Sequence, residues 1–107
     1  MDWFRDTGIP RLKEIAEEES RPMPMLCPRI RLRLTGSPLP DGERVAGEGS
    51  LNQVHGDLAE LESLGCAYVL LDTYFDDPEA TRHSETSWRM LAVMAEKVLD
   101  LGNQTVR

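Results

Sequence analysis

The residues best suited to chemistry fall at three places in the chain. Gly49-Ser50-Leu51-Asn52-Gln53 reads as the opening of a helix. Backbone N–H groups at a helix N-terminus can hold a phosphate. The same residues also spell a capping box, Ser50 with Gln53 three positions on, which would satisfy those N–H groups internally. Arg29, Arg31 and Arg33 alternate with Ile30, Leu32 and Leu34. Three guanidinium groups on one strand face could line a pocket for a phosphate or an acidic substrate, or form an exposed polar face paired with carboxylates. Asp72, Thr73, Tyr74 and Phe75 follow an apolar run. The two rings could wall a ligand, cover the end of a sheet or make a subunit contact.

The remaining reactive side chains are more scattered. His83 stands four residues after Glu79, a spacing that shares a helix face, but no further ligands of metal-site spacing accompany it. His83, Ser84 and Glu85 form no triad, because sequence neighbours point in different directions. His55 lies inside a helix pattern. Cys27 and Cys66 stand at strand starts and read as small buried apolar residues, with a disulfide between them left open. No glycine-rich phosphate loop is present.

The elements that must position these residues follow from periodicity. Ile9, Leu12, Ile15 and Ala16 predict a helix over 9–20, with Pro10 in its first turn and Glu14, Glu17, Glu18 and Glu19 on the wet side. The alternation at 29–34 predicts a strand with one dry and one polar face. Residues 35–49, rich in Gly, Pro and charge, predict a mobile loop. Leu51, Val54, Leu58 and Leu61 form the buried stripe of a helix over 50–64, with Asp57, Glu60 and Glu62 elsewhere on the wheel and Gly65 as a left-handed cap. The run Cys66–Leu71 predicts a strand buried on both faces. Asp76-Asp77-Pro78-Glu79 starts a helix over 77–101 with Trp88, Leu91, Met94 or Ala95, Val98 and Leu101 inward, and a frayed tail beyond Gly102.

The fold class is therefore α/β, a small βαβ unit with flanking helices and, by the usual handedness, parallel strands. Two strands bury little and expose two edges, so the unit should complete itself with a partner or with an irregular strand around Met23–Cys27. A homo-oligomer, most simply a dimer, is expected. The chain of 107 residues has room for one domain and falls far short of a complete (β/α)₈ barrel, which takes about 250 residues. A net charge of −7 argues against nucleic acid and anionic membrane as partners. Ten of the twelve basic residues are Arg, and on an acidic chain most should sit in surface pairs. No apolar run is long enough to span a bilayer, and Met1–Pro10 lacks the apolar core of a secretory signal. A reducing, cytoplasmic setting is expected.

Order and spacing together resemble a known family. Gly49-Ser50-Leu51-Asn52-Gln53-Val54, then Asp57-Leu58, Leu61 and Leu64-Gly65-Cys66-Ala67-Tyr68-Val69-Leu70-Leu71-Asp72, is similar to the C-terminal part of bacterial luciferase-like monooxygenases. The nearest branch holds the deazaflavin (F420)-dependent oxidoreductases. The family opens this helix with Gly-Ser/Thr-Pro-Glu-Gln-Val; here Leu51 stands where Pro is usual and Asn52 where Glu is usual. The arginine-rich strand, the Pro38–Asp41 loop and the Asp76–Thr81 helix start fit the same order, so the resemblance spans about residues 10 to 101.

The resemblance implies the last two strands of a (β/α)₈ barrel that binds FMN or F420. It implies that earlier strands supply most flavin contacts and the recognised catalytic residues, and no residue here matches those. Gly49, Ser50, Arg31, Arg33 and Tyr74 are the candidate cofactor contacts, with Tyr74 and Phe75 placed to stack on an isoalloxazine ring. Two functions stand side by side: part of a flavin- or F420-dependent oxidoreductase whose pocket is completed by a second copy or a partner chain, or a non-catalytic oligomerisation or ligand-binding module with no cofactor. A regulatory domain unrelated to flavins is a third.

Overall fold

The computed structural model describes residues 1–74, 78–82 and 84–107. A π-helical turn, Phe4–Gly8, runs into α1 (Ile9–Glu18). Two short strands follow, β1 (Arg29–Arg31) and β2 (Arg33–Leu34), then β3 (Glu48–Gly49), α2 (Leu51–Ser63) and β4 (Leu70–Asp72). The chain closes with α3 (Pro78–Arg82), α4 (Glu85–Val93), a π-helical turn at Met94–Val98, and the hairpin strands β5 (Leu99–Asp100) and β6 (Thr105–Val106).

Segment 29–34 is the centre of the sheet. β1 pairs in parallel with β4, Arg29 opposite Leu70 and Arg31 opposite Asp72. β2 pairs in parallel with β3 on the other side, Arg33 opposite Glu48 and Leu34 opposite Gly49. Leu32 donates to the Asp72 carbonyl at 2.8 Å, whereas Arg33 donates to Gly47 at 2.9 Å and Thr35 to Gly49 at 2.8 Å. Alternate residues thus bond to opposite neighbours, as in any parallel strand with two partners. The predicted loop 35–49 therefore ends in a short strand, and a 3₁₀ turn, Asp41–Glu43, lies inside it.

The predicted alternation is realised side chain by side chain. Ile30 and Leu32 are buried and Leu34 half-buried, while Arg29, Arg31 and Arg33 are exposed. The dry face packs on Val54, Leu58 and Leu61 of α2 and on Met94 and Val98 near the C-terminus. Leu32, Val54, Met94 and Val98 are fully excluded from water. Gly65 adopts φ +84 after α2, the left-handed cap its position predicts.

Several expectations need correction. The strand at 66–71 is shortened to Leu70–Asp72 and is not buried on both faces: Tyr68 is 67% and Leu70 61% exposed. Among the described residues, the helices cover one side of the sheet and the other side stays wet. The ladder also fails below residue 70 for a covalent reason. Ala67 donates to Leu26 at 2.9 Å, and a continuing parallel ladder would next need an N–H from residue 28, which is Pro28.

The helix over 77–101 is divided and ends at Val98; Asp76, Asp77 and His83 lie outside the described residues. Trp88 and Leu101, placed in its buried stripe, are 67% and 65% exposed. The tail is not frayed. Asp100 accepts from Asn103 N at 3.2 Å and Nδ2 at 2.8 Å, which turns the chain so that β6 pairs with β5. Val106 N donates to Glu62 Oε2 at 2.8 Å and Arg107 N to the Val98 carbonyl at 2.8 Å.

At the N-terminus, helical structure begins before residue 9, and Ala16 is the buried residue of α1 while Ile15 stays 39% exposed. Asp57, expected away from the buried stripe, is buried at 6% exposure. Cys27 is exposed and Cys66 half-buried, so the reading of both as buried is overturned for Cys27. Among the described residues, no helix is long and apolar enough to cross a membrane.

Candidate functional site

The parallel register gathers the candidate residues at one end of the sheet. Arg31 faces Asp72 across β1 and β4, and Tyr74 follows two residues later. Arg33 faces Glu48, with Gly49 and Ser50 immediately after it. Gly49, Ser50, Arg31, Arg33 and Tyr74 therefore all lie toward the C-terminal ends of parallel strands, where α/β proteins bind ligands. Phe75 lies outside the described residues.

The three arginines stand on the face turned away from the helices, together with exposed Leu70. Strand periodicity puts them there. Ile30, Leu32 and Leu71 are drawn to the α2 side, so their neighbours must point the other way. Arg29 is already engaged: its Nε donates to Asp72 Oδ2 at 2.9 Å, and its Nη2 contacts the same oxygen. The other oxygen of Asp72 accepts from Tyr74 N at 2.9 Å. The Tyr74 N–H, and after it the Arg29 guanidinium, hold the Asp72 carboxyl below its ordinary value. Asp72 is thus an anchored anion at neutral pH, fixing the turn that carries Tyr74.

The start of α2 is closed internally. Ser50 Oγ accepts from Gln53 N at 3.3 Å, and Gln53 Oε1 accepts from Ser50 N at 3.0 Å, a complete capping box. Gln53 also binds both main-chain groups of Leu39, accepting from N at 3.0 Å and donating to O at 2.8 Å. This one side chain ties the 35–49 loop to the helix. The N–H groups of Ser50 and Gln53 are used within the protein, whatever else the helix start can hold.

The strongest polar cluster went unread in the sequence. Arg44 makes a bidentate pair with Asp57, both bonds 2.8 Å, and donates to the Glu48 carbonyl at 3.1 Å. Asp57 Oδ2 also accepts from Gly47 N at 2.9 Å. The pair raises the Arg44 pKa, the hydrogen bond to Asp57 being the largest cause. A signal was available: Asp57 falls three residues after Val54 and four before Leu61, on the apolar stripe itself. An acid there demands a cation from elsewhere in the chain.

His55 lies on α2, its Nε2 against the Arg107 carbonyl oxygen. No group of His, Cys, Asp and Glu able to hold a metal occurs among the described residues. Compared with family models, curated proteins and solved structures, the chain matches none.

Proposed function

We propose that this chain is the closing βαβ segment of a luciferase-like flavin- or F420-dependent oxidoreductase barrel, whose pocket is completed by a second copy or by a partner chain. The observation that carries the reading is the uncovered face of the sheet. Two parallel strands joined through α2 turn one face to the helices, and leave the other bare with Arg29, Arg31, Arg33 and Leu70 on it. In a barrel, the helix-distal face is the interior. The same face supplies guanidinium groups suited to a cofactor phosphate, with Tyr74 at its rim for a planar ring.

These residues suit one wall of a flavin site and not an enclosure. A cofactor site is a cavity of about 300–1,000 Å³. The groove formed by Cys66, Tyr68, Leu99 and Thr105 holds about 200 Å³, and an open one formed by Trp3, Asp41, Arg44 and Val45 holds about 440 Å³; neither is lined by Arg31, Arg33 or Tyr74. Turnover by an isolated monomer is therefore not expected. When bound, FMN or F420 would supply the hydride chemistry; this chain's part would be to bind and orient it through Arg31, Arg33 and Tyr74.

A specific observation favours a second reading, a non-catalytic assembly module derived from the same family. The capping box takes up two N–H groups at Gly49–Gln53, the other candidate anion site.

Size-exclusion chromatography with light scattering, run with and without FMN and F420, separates the two. An oligomer that carries cofactor absorbance supports the oxidoreductase reading. An oligomer without either cofactor supports the assembly module, and a strict monomer at micromolar concentration overturns both self-assembly and completion of the pocket by a second copy.

A further inference from the structure

We propose that two copies of this chain pair edge to edge through β4, antiparallel, about a two-fold axis at Leu71. The pairing rests on the self-assembly part of the proposed function and not on its cofactor. The course of the main chain in β4 decides which groups are free. Leu70 N donates to the Pro28 carbonyl at 2.9 Å, and the Asp72 carbonyl accepts from Leu32 N at 2.8 Å. Leu70 stands opposite Arg29 and Asp72 opposite Arg31, so both turn their main-chain groups toward β1. Alternation along the strand then turns the N–H and C=O of Leu71 outward, and those of its neighbours Val69 and Thr73 with them. Among the described residues, no strand receives them.

An edge residue that offers both a donor and an acceptor is complementary to itself. On a two-fold axis, Leu71 donates to its counterpart's carbonyl and accepts from its counterpart's N–H, as a hydrogen-bonded pair of an antiparallel ladder does. The same register sets Val69 of each copy opposite Thr73 of the other, a further hydrogen-bonded pair on either side of the axis.

The side chains fit this register. Residues opposite each other in a ladder share a face. Val69 and Leu71 pack against the core, on the α2 side. Leu71 of the second copy therefore enters on that side too. There a groove of about 200 Å³ lies between β4 and the C-terminal hairpin, lined by Leu58, Val69, Leu71, Leu99 and Val106 among others. One step beyond the Val69–Thr73 pairs, the register brings Tyr68 opposite the second copy's Tyr74. These rings are 67% and 40% exposed in the single chain, and an aromatic pair across strands is favourable. Leu70, 61% exposed, lies one residue from the axis.

The edge also lacks the usual protection, since residues 68–74 contain no proline and no lysine. The chain has surface to cover: its radius of gyration is 15.5 Å, against about 13 Å for a compact domain of this length. The axis stands normal to the sheet, so the arginine faces of the two copies open on the same side.

The test uses the full chain without cofactor. Amide hydrogen exchange is followed by NMR at rising protein concentration, alongside the mass from light scattering. Leu32 N and Leu70 N, bonded within the chain, should be protected throughout. The Val69, Leu71 and Thr73 amides should gain protection by about tenfold or more as the mass rises to that of a dimer. Thr73→Pro removes an outward N–H and should raise the dimer dissociation constant by about tenfold or more, with unchanged circular dichroism. Thr73→Val keeps the N–H and should dimerise as the wild type does. Should Thr73→Pro fail to fold, exchange in the wild type decides alone. A dimer whose Leu71 and Thr73 amides exchange freely overturns this pairing and leaves self-assembly standing; a strict monomer overturns both.

Discussion

Asp57 shows how one residue can hold a loop that has almost no regular structure of its own. Its carboxylate binds Arg44 twice and Gly47 N once, so it joins α2 to the segment that becomes β3. Removing one partner of a buried pair leaves the other charged and unpaired. Asp57→Ala should therefore cost about 3–5 kcal/mol in urea unfolding, since it unpairs Arg44 and takes the acceptor from Gly47 N. Asp72 acts at the surface and through pH. Its folded pKa lies below the ordinary 3.8, lowered by Tyr74 N and Arg29, so the stability it contributes is present above the unfolded value. That contribution is lost as pH falls through the folded value. Asp100, lowered by the Asn103 amide and then its backbone N–H, follows the same sign. Denaturation midpoints at pH 5 and pH 3 should differ less in Asp72→Asn than in the wild type.

Among the elements, the β2–β3 pairing depends on close backbone approach. Gly47 has φ +91, and a Cβ there would stand 2.2 Å from the Arg31 carbonyl oxygen. Gly65 has a similar φ of +84 but open space around it. Both positions resist a side chain through conformation, at about 1 kcal/mol each. Only Gly47 adds a clash with backbone that cannot move without parting the strands. Gly47→Ala should therefore be more destabilising than Gly65→Ala by at least about 1 kcal/mol, as equilibrium unfolding would show. The C-terminal hairpin makes a related point. Asp100 and Asn103 set its turn locally, but Glu62 on α2 and the Val98 carbonyl hold its second strand, so its stability belongs to the whole core.

At the scale of the molecule, the helices cover one face of the sheet and leave the other open. Leu70, opposite Arg29, exposes apolar surface on that side, and Tyr68, Tyr74 and Met25 are exposed as well. Among the described residues, β4 pairs only with β1, which leaves its outer edge as a template for another strand. If association runs through this edge, Leu70→Lys should lower the mass seen by light scattering while leaving the far-ultraviolet circular dichroism unchanged. An unchanged mass would move the interface elsewhere, with the exposed Trp88 on α4 the next surface to alter.

Whatever depends on near neighbours along the chain was legible in the amino-acid order alone. The alternation at 29–34, the Ser50–Gln53 cap, the stripe at Val54, Leu58 and Leu61 and the Gly65 stop all act within one or two turns or along one strand, and each is present as read. Their order sufficed for a parallel βαβ unit. The features that emerged only in the folded molecule depend on partners far apart. Asp57 is buried because Arg44 meets it there, and residues 105–106 are a strand because β5 and Glu62 receive them. Cys66–Val69 leaves the ladder because Pro28, some forty residues earlier, has no N–H to offer. Tyr68 and Leu70 are wet because, among the described residues, no second layer covers them. An apolar run states what a segment can bury, and the rest of the chain decides whether anything arrives to bury it.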